Sequence, residues 1–308
     1  MRARKHKKKN KWLLVTGIVF LVLLFGIGIY GFSVYKSLTN AVETMHQPLD
    51  RKSDKREAEV SLTDKQPFSV LMLGVDQRKG DKGRSDTMIV LTVNPSNNSV
   101  KMLSIPRDTR TEIVGHNTVD KINHAYAFGN EEMAMNTVEN FLDIPIDYYI
   151  KVNMEAFKDI IDAVGGITVN NDLDFRQGGY HFPKGPVTLD GKKALAYTRM
   201  RHDDPRGDFG RQIRQREIIQ GILREGASLS SLTKYQDIFS ALGSNVRTNL
   251  SFDQMMDIQK NYKSAAAKVN QMSIKGNGAK INGIYYFIVS AQEKQRLQKE
   301  LRAQLELK

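Results

Sequence analysis

Asp76 and Asp86 lie in the stretch VLMLGVDQRKGDKGRSD (Val70–Asp86), with Arg84 just before the second acid. Two carboxylates and an arginine at neighbouring strand ends can hold a divalent cation and a phosphate between them. A loop acid beside a surface ion pair is the plainer alternative, and this stretch alone does not separate the two. Val70–Leu73 form a short apolar run, which suits a strand covered on both faces. Gly74 permits a bend or a close approach. Asp76 then falls at the strand's carboxyl end, where open α/β sheets bind ligands.

A second group of candidates lies downstream. From Arg199 to Arg216 every lysine-or-arginine position is arginine: Arg199, Arg201, Arg206, Arg211, Arg214 and Arg216. Arginine suits planar, bidentate recognition of phosphate or carboxylate. Arg211 and Gln215 are spaced to share one helix face. Pro106 stops a strand ladder, so Arg107 also projects from a strand end, and Lys121 follows as a further phosphate ligand. Two acids for a metal, with several arginines, suit a diphosphate: the cation bridges oxygens and the guanidiniums neutralise what is left. Simpler roles compete. Arg206, Arg214 and Arg216 have Asp203, Asp204, Asp208 and Glu217 as neighbours to pair with. Asp159 and Asp162 read as a solvated helix edge. His124 and His202 read as surface histidines, with acid–base work as the alternative.

These residues need elements to position them. Thr87–Val93 and Ser99–Ile105 are strand-like, and the turn-rich Asn94–Asn98 between them predicts a hairpin. Glu131–Leu142 is expected as a helix behind Asn130, and Met154–Val164 as another behind Asn153, ended by Gly165-Gly166. In the latter, Phe157, Ile160, Ile161 and Val164 form a core-facing stripe. Asp172–Val187 is loop-rich, either a cleft wall or an insertion. Helices are expected over Gly191–Tyr197, Arg211–Glu225, Leu232–Leu242, Phe252–Lys268 and Ala291–Leu305, and strands over Tyr148–Val152, Ile167–Asn170, Val269–Ile274 and Ile284–Val289. Interleaved strands and helices with at least one hairpin argue for a three-layer α/β/α fold with a mixed sheet.

The chain has 308 residues, a net charge of +12 and no cysteine, which excludes disulfide staples and thiolate metal or redox sites. Arg2, Arg4, Lys5, Lys7, Lys8, Lys9 and Lys11 concentrate much of that charge in residues 1–11. Residues 12–35 contain no charged side chain, which is long enough to span a bilayer, since roughly 20 apolar residues suffice. Trp12, Tyr30 and Tyr35 lie near its ends, as interfacial aromatics do, and the basic flank predicts a cytoplasmic N-terminus with the bulk of the chain outside. A cleaved signal peptide is disfavoured because its apolar core would be only ~7–15 residues. The basic run beside this segment suits orientation and anionic lipid rather than nucleic acid. Residues 36–66 are polar and charge-mixed and read as a stem. Residues 67–308 then form one outer domain with a sizeable core.

Taken together, GVDQR (Gly74–Arg78), RSDTMIVLTVNP (Arg84–Pro95), SIPRDT (Ser104–Thr109), KINHAY (Lys121–Tyr126), VGGI (Val164–Ile167), DGKKALAYTRMR (Asp190–Arg201) and GDFGRQIRQ (Gly207–Gln215) resemble the LytR–CpsA–Psr family. The basic tail, single anchor and stem are similar too. The resemblance implies an enzyme that takes an anionic glycopolymer, wall teichoic acid, from an undecaprenyl-diphosphate carrier. It would join the polymer, with its proximal phosphate, to the 6-hydroxyl of N-acetylmuramic acid in peptidoglycan. It also implies magnesium, or manganese in its place, on Asp76 and Asp86. Diphosphate contacts would come from Arg84, Arg107, Lys121, Arg199, Arg201, Arg211 and Gln215. Catalysis would rest on Asp76, Arg107, Arg199 and Arg201, with an apolar tunnel for the lipid. A lipid-diphosphate pyrophosphatase with the same site, and a non-enzymatic membrane protein that binds wall polymer or attenuates transcription, are the other readings.

Overall fold

The computed structural model describes residues 32–75, 83–201, 203–228, 238 and 242–307. A first helix, α1, covers residues 32–45. Strands β1 (Phe68–Val75), β2 (Ser85–Asn94) and β3 (Ser99–Ile105) follow, then a hairpin of β4 (Arg110–Ile113) and β5 (Thr118–Lys121). Next come α2 (His124–Leu142), β6 (Tyr148–Val152) and α3 (Met154–Ala163). Four short strands, β7 (Ile167–Asn171), β8 (Phe175–Gln177), β9 (Tyr180–Phe182) and β10 (Gly185–Leu189), lead to α4 (Gly191–Arg199) and α5 (Asp208–Ser228). The rest comprises β11 (Val246–Thr248), α6 (Phe252–Tyr262), β12 (Val269–Met272), the hairpin β13 (Asn277–Ile281) and β14 (Ile284–Ile288), and α7 (Ala291–Gln304).

The central sheet runs β11-β6-β1-β2-β3-β12. It is mixed: β1 pairs with β6 in parallel and β3 with β12 in parallel, while β1–β2, β2–β3 and β6–β11 are antiparallel. Successive strand side chains face opposite sides, and both sides are covered. Leu71, Leu73, Val90 and Leu103 pack with Val138 of α2 and Leu297 and Leu301 of α7. Val70, Ile89, Leu91 and Met102 pack with Ile219 and Leu223 of α5 and Met255 and Tyr262 of α6. Burial on both faces explains why these strands read as continuous apolar runs.

Local chemistry sets the predicted boundaries. Asn153 accepts the Ala156 N–H at 2.9 Å to start α3, and Asp190 accepts that of Lys193 at 2.8 Å to start α4. Ser251 and Gln254 form a reciprocal capping box on α6. Gly165 and Gly166, with φ of 89° and 86°, end α3.

Elsewhere the structure departs from the sequence reading. Helix α2 begins at His124, before the expected Glu131 start, and kinks at Gly129 and Asn130, where Asn130 has φ 55°. A Cβ on Gly129 would lie 2.6 Å from Met133 Cβ, so only glycine fits that kink. The Ile284–Val289 strand pairs in the β13–β14 hairpin and not in the central sheet. Asp172–Val187 contains the β8–β9 hairpin, and β10 pairs with β7. Phe175 and Phe182 from this segment pack with Tyr197 and Ile218, so it supports α4 and α5 from below. Asp162 is exposed, as a solvated edge should be, and its Oδ1 also accepts the Gly191 N–H at 2.7 Å, joining α3 to α4.

Residues 36–66, which read as a stem, are packed on the domain. Val34, Leu38, Val42 and Met45 form one buried stripe of α1, and Val42 and Met45 meet Ala156 and Val246. Arg51 Nη2 lies 2.5 Å from Glu139 Oε2, and Arg56 Nε 3.0 Å from Asp147 Oδ1. The charges that look solvated in sequence have partners far along the chain. Most of the uncharged run 12–35, up to residue 31, and most of the expected Leu232–Leu242 helix lie outside the described residues. Among the described residues, no helix is long and apolar enough to cross a membrane.

The turn from α4 to α5 is locked from within. Asp204 Oδ2 accepts from Arg214 Nη1 at 2.7 Å, and its Oδ1 accepts from Arg206 Nε at 2.9 Å. Gly210 faces this carboxylate so closely that a Cβ would lie 1.8 Å from Asp204 Oδ2. Gly210→Ala should therefore expel Asp204 and leave Arg214 buried without its partner. We expect a loss of about 3 kcal/mol, read as a lower urea midpoint with an unchanged slope.

Candidate active site

Four strands finish or start at one edge of the sheet. The carboxyl ends of β1, β3 and β6 meet the beginning of β2 there, since Gly74 pairs with Thr87 and Val152, and Met88 with Ile105. This brings Asp86 and Thr87 beside Arg107, which follows β3. Gly74 is required by the close approach, because a Cβ on it would lie 2.9 Å from Thr87 Cβ.

Ion pairs link the candidates at this edge. Arg107 Nη1 donates to Asp86 Oδ1 at 2.6 Å. Its Nε lies 3.8 Å from Asp108 Oδ2, and Lys121 Nζ reaches Asp108 Oδ1 at 2.7 Å. Arg211 Nη2 is 2.6 Å from Asp208 Oδ1, and Gln215 Nε2 donates to Thr87 Oγ1 at 2.8 Å. Burial alone would lower the Arg107 pKa, but the hydrogen bond and charge of Asp86, with Asp108 and Asp208, hold it above the ordinary arginine value. Arg211 goes the other way. Burial lowers it, Asp208 and Asp86 oppose that, and the positive charges of Arg107 and Arg201 add to it. Arg107, Arg201 and Arg211 therefore share one electrostatic neighbourhood. The Arg211 Nε is buried and has no hydrogen-bond partner among the described residues. An orphaned, desolvated guanidinium donor beside other cations is suited to an anion.

A cleft of about 280 Å³ opens from this cluster. Asp86, Arg199, Arg211 and Gln215 line its polar part, and Met154, Phe157, Ile160, Ile219 and Ile222 its apolar part. The stripe on α3 that reads as core-facing thus supplies a cleft wall through Phe157 and Ile160, while Ile161 is fully buried. On α5, Arg211, Gln215, Ile219 and Ile222 follow at intervals of four, four and three, so one helix face begins polar and continues apolar.

The structure thus brings together Asp86, Arg107, Arg199, Arg201, Arg211 and Gln215, with Lys121 attached through Asp108. Arg84 is exposed immediately before β2, and no hydrogen bond or ion pair among the described residues joins it to the others. Asp76 and His202 lie outside the described residues; Val75, next to Asp76, pairs with Ser85. Arg206 and Arg214 take the structural alternative through Asp204, and Arg206 also pairs with Asp172 at 2.6 Å. Among the described residues Arg216 pairs with no acid: its Nε donates to Gln271 Oε1 at 3.1 Å. His124 Nδ1 lies 2.7 Å from Asp120 Oδ2, outside the cleft lining. Asp108, Asp208 and Thr87 were not singled out by residue type. Asp108 and Thr87 stand inside the SIPRDT and RSDT motifs, the signal that marks them.

No three acid or histidine side chains gather into a metal cage among the described residues. Magnesium does not need one, since it keeps water and binds through one or two carboxylates plus substrate phosphates. Asp86 fits that role: its side chain is 40% exposed at the polar end of the cleft.

Comparison with known proteins agrees with this architecture. Residues 32–303 match the LytR_cpsA_psr family. The chain is 53% identical over 306 residues to the Bacillus subtilis (strain 168) polyisoprenyl-teichoic acid–peptidoglycan teichoic acid transferase TagU, covering 99% of this chain and 100% of that one. It superposes on the crystal structure of B. subtilis TagU with a TM-score of 0.65 at 53% identity, over 79% of this chain and 99% of that one. It superposes on the structure of TagT bound to LIIa-WTA with a TM-score of 0.73 at 33% identity, over 85% of this chain and 100% of that one. With a family match over residues 32–303 and 53% identity over 306 residues to a member, the chain belongs to the LytR–CpsA–Psr family.

Proposed function

We propose that this chain is a magnesium-dependent phosphotransferase of the cell envelope. It takes wall teichoic acid from an undecaprenyl-diphosphate carrier and joins it, through its proximal phosphate, to the 6-hydroxyl of N-acetylmuramic acid in peptidoglycan. The observation that carries this reading is the meeting of an arginine cluster with an apolar cleft at Asp86. A lipid diphosphate has those two halves. The relatives named as teichoic acid transferases support the same reading.

Arg107, Arg199, Arg201 and Arg211 hold the diphosphate, with Lys121 and Gln215 at its flanks and Arg84 as an outer contact. The orphaned Arg211 Nε gains an acceptor when a phosphate oxygen arrives. Asp86, with Asp76, holds the magnesium, which when bound neutralises charge across the two phosphates. The apolar walls from α3 and α5 take the isoprenyl chain and keep water from it. The acceptor hydroxyl forms a bond to the polymer-side phosphorus as the bond to the carrier phosphate breaks. Undecaprenyl phosphate leaves, and the proton of the acceptor hydroxyl passes to that departing phosphate or to water. The arginines stabilise negative charge that grows on the reacting and leaving oxygens. Arg107 pairs with Asp86 at a part-exposed site, where such pairs contribute only ~0–1 kcal/mol. That pair is cheap to rearrange around a ligand.

We further propose that residues 12–35 anchor the chain in the membrane, with residues 1–11 cytoplasmic and the domain outside. The clustered basic tail beside an uncharged run supports this. Tyr35, at the end of that run, packs edge-on to Phe252 of the domain at 5.4 Å, so on this reading the domain would begin where the anchor ends.

Three results are expected. Purified full-length chain mixed with a lipid-diphosphate-linked saccharide, magnesium and peptidoglycan oligomers should give a phosphodiester-linked adduct by mass spectrometry. EDTA and Asp86→Ala should abolish it, and Arg107→Ala should lower the rate by about 10²–10³-fold; free sugar phosphate alone would indicate a hydrolase. Arg211→Lys should lower kcat/KM by about tenfold, because lysine has no donor at the Nε position; full activity would remove Arg211 from diphosphate binding. Protease added to intact protoplasts should digest the domain, and protection would reverse the proposed topology.

A further inference from the structure

The attacking and leaving oxygens of a phosphoryl transfer lie roughly in line across phosphorus. In the proposed reaction the carrier lipid leaves toward the cleft beneath β6, β1, α3 and α5. The acceptor must then arrive from the opposite flank of the Asp86–Arg107 pair, the β3 side of the sheet. That flank is built by the β4–β5 hairpin, the start of α2 and the β13–β14 hairpin.

The pieces of this flank are tied to the catalytic edge by direct contacts. The Phe287 N–H donates to the Asp108 carbonyl at 2.8 Å, next to Arg107. Phe209, beside Asp208 at the start of α5, meets the Phe287 ring edge-on at 5.6 Å, yet stays 42% exposed. The Tyr286 hydroxyl donates to Asp120 Oδ1 at 3.2 Å. Arg110 and Lys121 each place a cation 5.9 Å from the Tyr286 ring. His124, paired with Asp120, lies 6.0 Å edge-on from Phe128. His116 stacks on Phe128 at 4.0 Å, and Phe128 is still 41% exposed. A ridge thus runs from the exposed Phe209 beside the arginines, over the buried Phe287 and Tyr286, to the exposed Phe128 of α2, stacked on His116 in the β4–β5 turn.

Single exposed apolar residues are ordinary. Here two aromatic rings are interleaved with imidazole, carboxylate and cationic groups, the pattern of a site that combines apolar contact with a few placed polar partners. Pyranose rings need that combination, having apolar C–H faces and hydroxyl edges. Arg110, exposed beside the Tyr286 ring, adds a donor for those hydroxyl edges. We propose that this ridge binds the pyranose rings of the acceptor glycan and delivers its hydroxyl to the diphosphate held by Arg107. The inference rests on the transferase reading above.

The test uses full-length chain in detergent and an N-acetylglucosamine–N-acetylmuramic acid tetrasaccharide as probe. Binding is measured by titration calorimetry and transfer by steady-state kinetics. Phe209→Ala and Phe128→Ala should each weaken tetrasaccharide affinity and raise acceptor KM by about tenfold, with donor KM little changed. Phe209→Trp should restore affinity. Both rings are exposed, so thermal unfolding should match the parent chain. Unchanged tetrasaccharide affinity in both variants would overturn the proposal, as would a shift confined to donor KM, which assigns the ridge to the incoming polymer. Phe209-dependent binding without turnover of any lipid diphosphate would uphold the ridge and overturn the transferase reading. Turnover that ignores both rings would do the reverse.

Discussion

Arg214 carries its guanidinium into the protein interior, where Asp204 meets it at 2.7 Å with both side chains essentially inaccessible to water. Its second nitrogen donates to the Met200 carbonyl at 2.7 Å, and Phe175 lies 5.5 Å from the guanidinium carbon. Removing one partner of such a pair leaves a bare buried charge, at about 3–5 kcal/mol. The turn between α4 and α5 is therefore fixed at its centre. Met200 stands between Arg199 and Arg201, and Arg214 stands one turn after Arg211. A single buried interaction thus sets the positions of the arginines on both sides of the cleft. The β7–β10 segment serves it by packing Phe175 and Phe182 beneath α4 and α5.

That rigidity permits a crowding of like charge that would otherwise relax. Arg211 is pushed below the usual arginine value first by burial and then by Arg107 and Arg201, despite Asp208 and Asp86. Free side chains would move apart into water. Here helix and strand ends hold them together, and an arriving phosphate finds donors whose reorganisation has been done during folding. The exposed pair of Arg107 with Asp86 is the exchangeable partner in this arrangement, and the buried pair of Arg214 with Asp204 the fixed one. Arg107 and Arg214 thus have opposite roles, and burial distinguishes them.

The α5 face joins the two chemistries. Its first turns present Arg211 and Gln215 to the sheet edge, and its next turns present Ile219 and Ile222 to the apolar cleft. Leu223 and Ile219 also belong to the core beneath the sheet. The helix that binds an anion at one end therefore lines an apolar wall farther along, without a break in the backbone. Helix α3 supplies the facing wall, and α1 packs against Ala156 of α3 from outside. The wall is braced by the segment that leads from the N-terminal region.

Much of the fold was legible because it depends on local rules. The apolar strands, the Asn94–Asn98 turn, the caps at Asn153, Asp190 and Ser251, and the glycine stop after α3 all follow from neighbours within a few residues. The chemistry of the site was legible as composition: arginine without lysine from Arg199 to Arg216, and acids and arginines placed at strand ends. What sequence spacing does not contain is partnership across the chain. It reads Arg51 and Arg56 as a solvated stem, whereas Glu139 and Asp147 draw them onto the domain. It reads Phe157 and Ile160 as core, and they do pack against it, but they also line the cleft. It offers Arg206 and Arg214 four acids to pair with, whereas folding assigns Asp204 to both and leaves Arg211 Nε without a partner among the described residues. Periodicity tells which residues share a face of one element. Which face meets water, another element or a ligand is decided when separate elements pack together, because burial and pairing are properties of that packing and not of the chain.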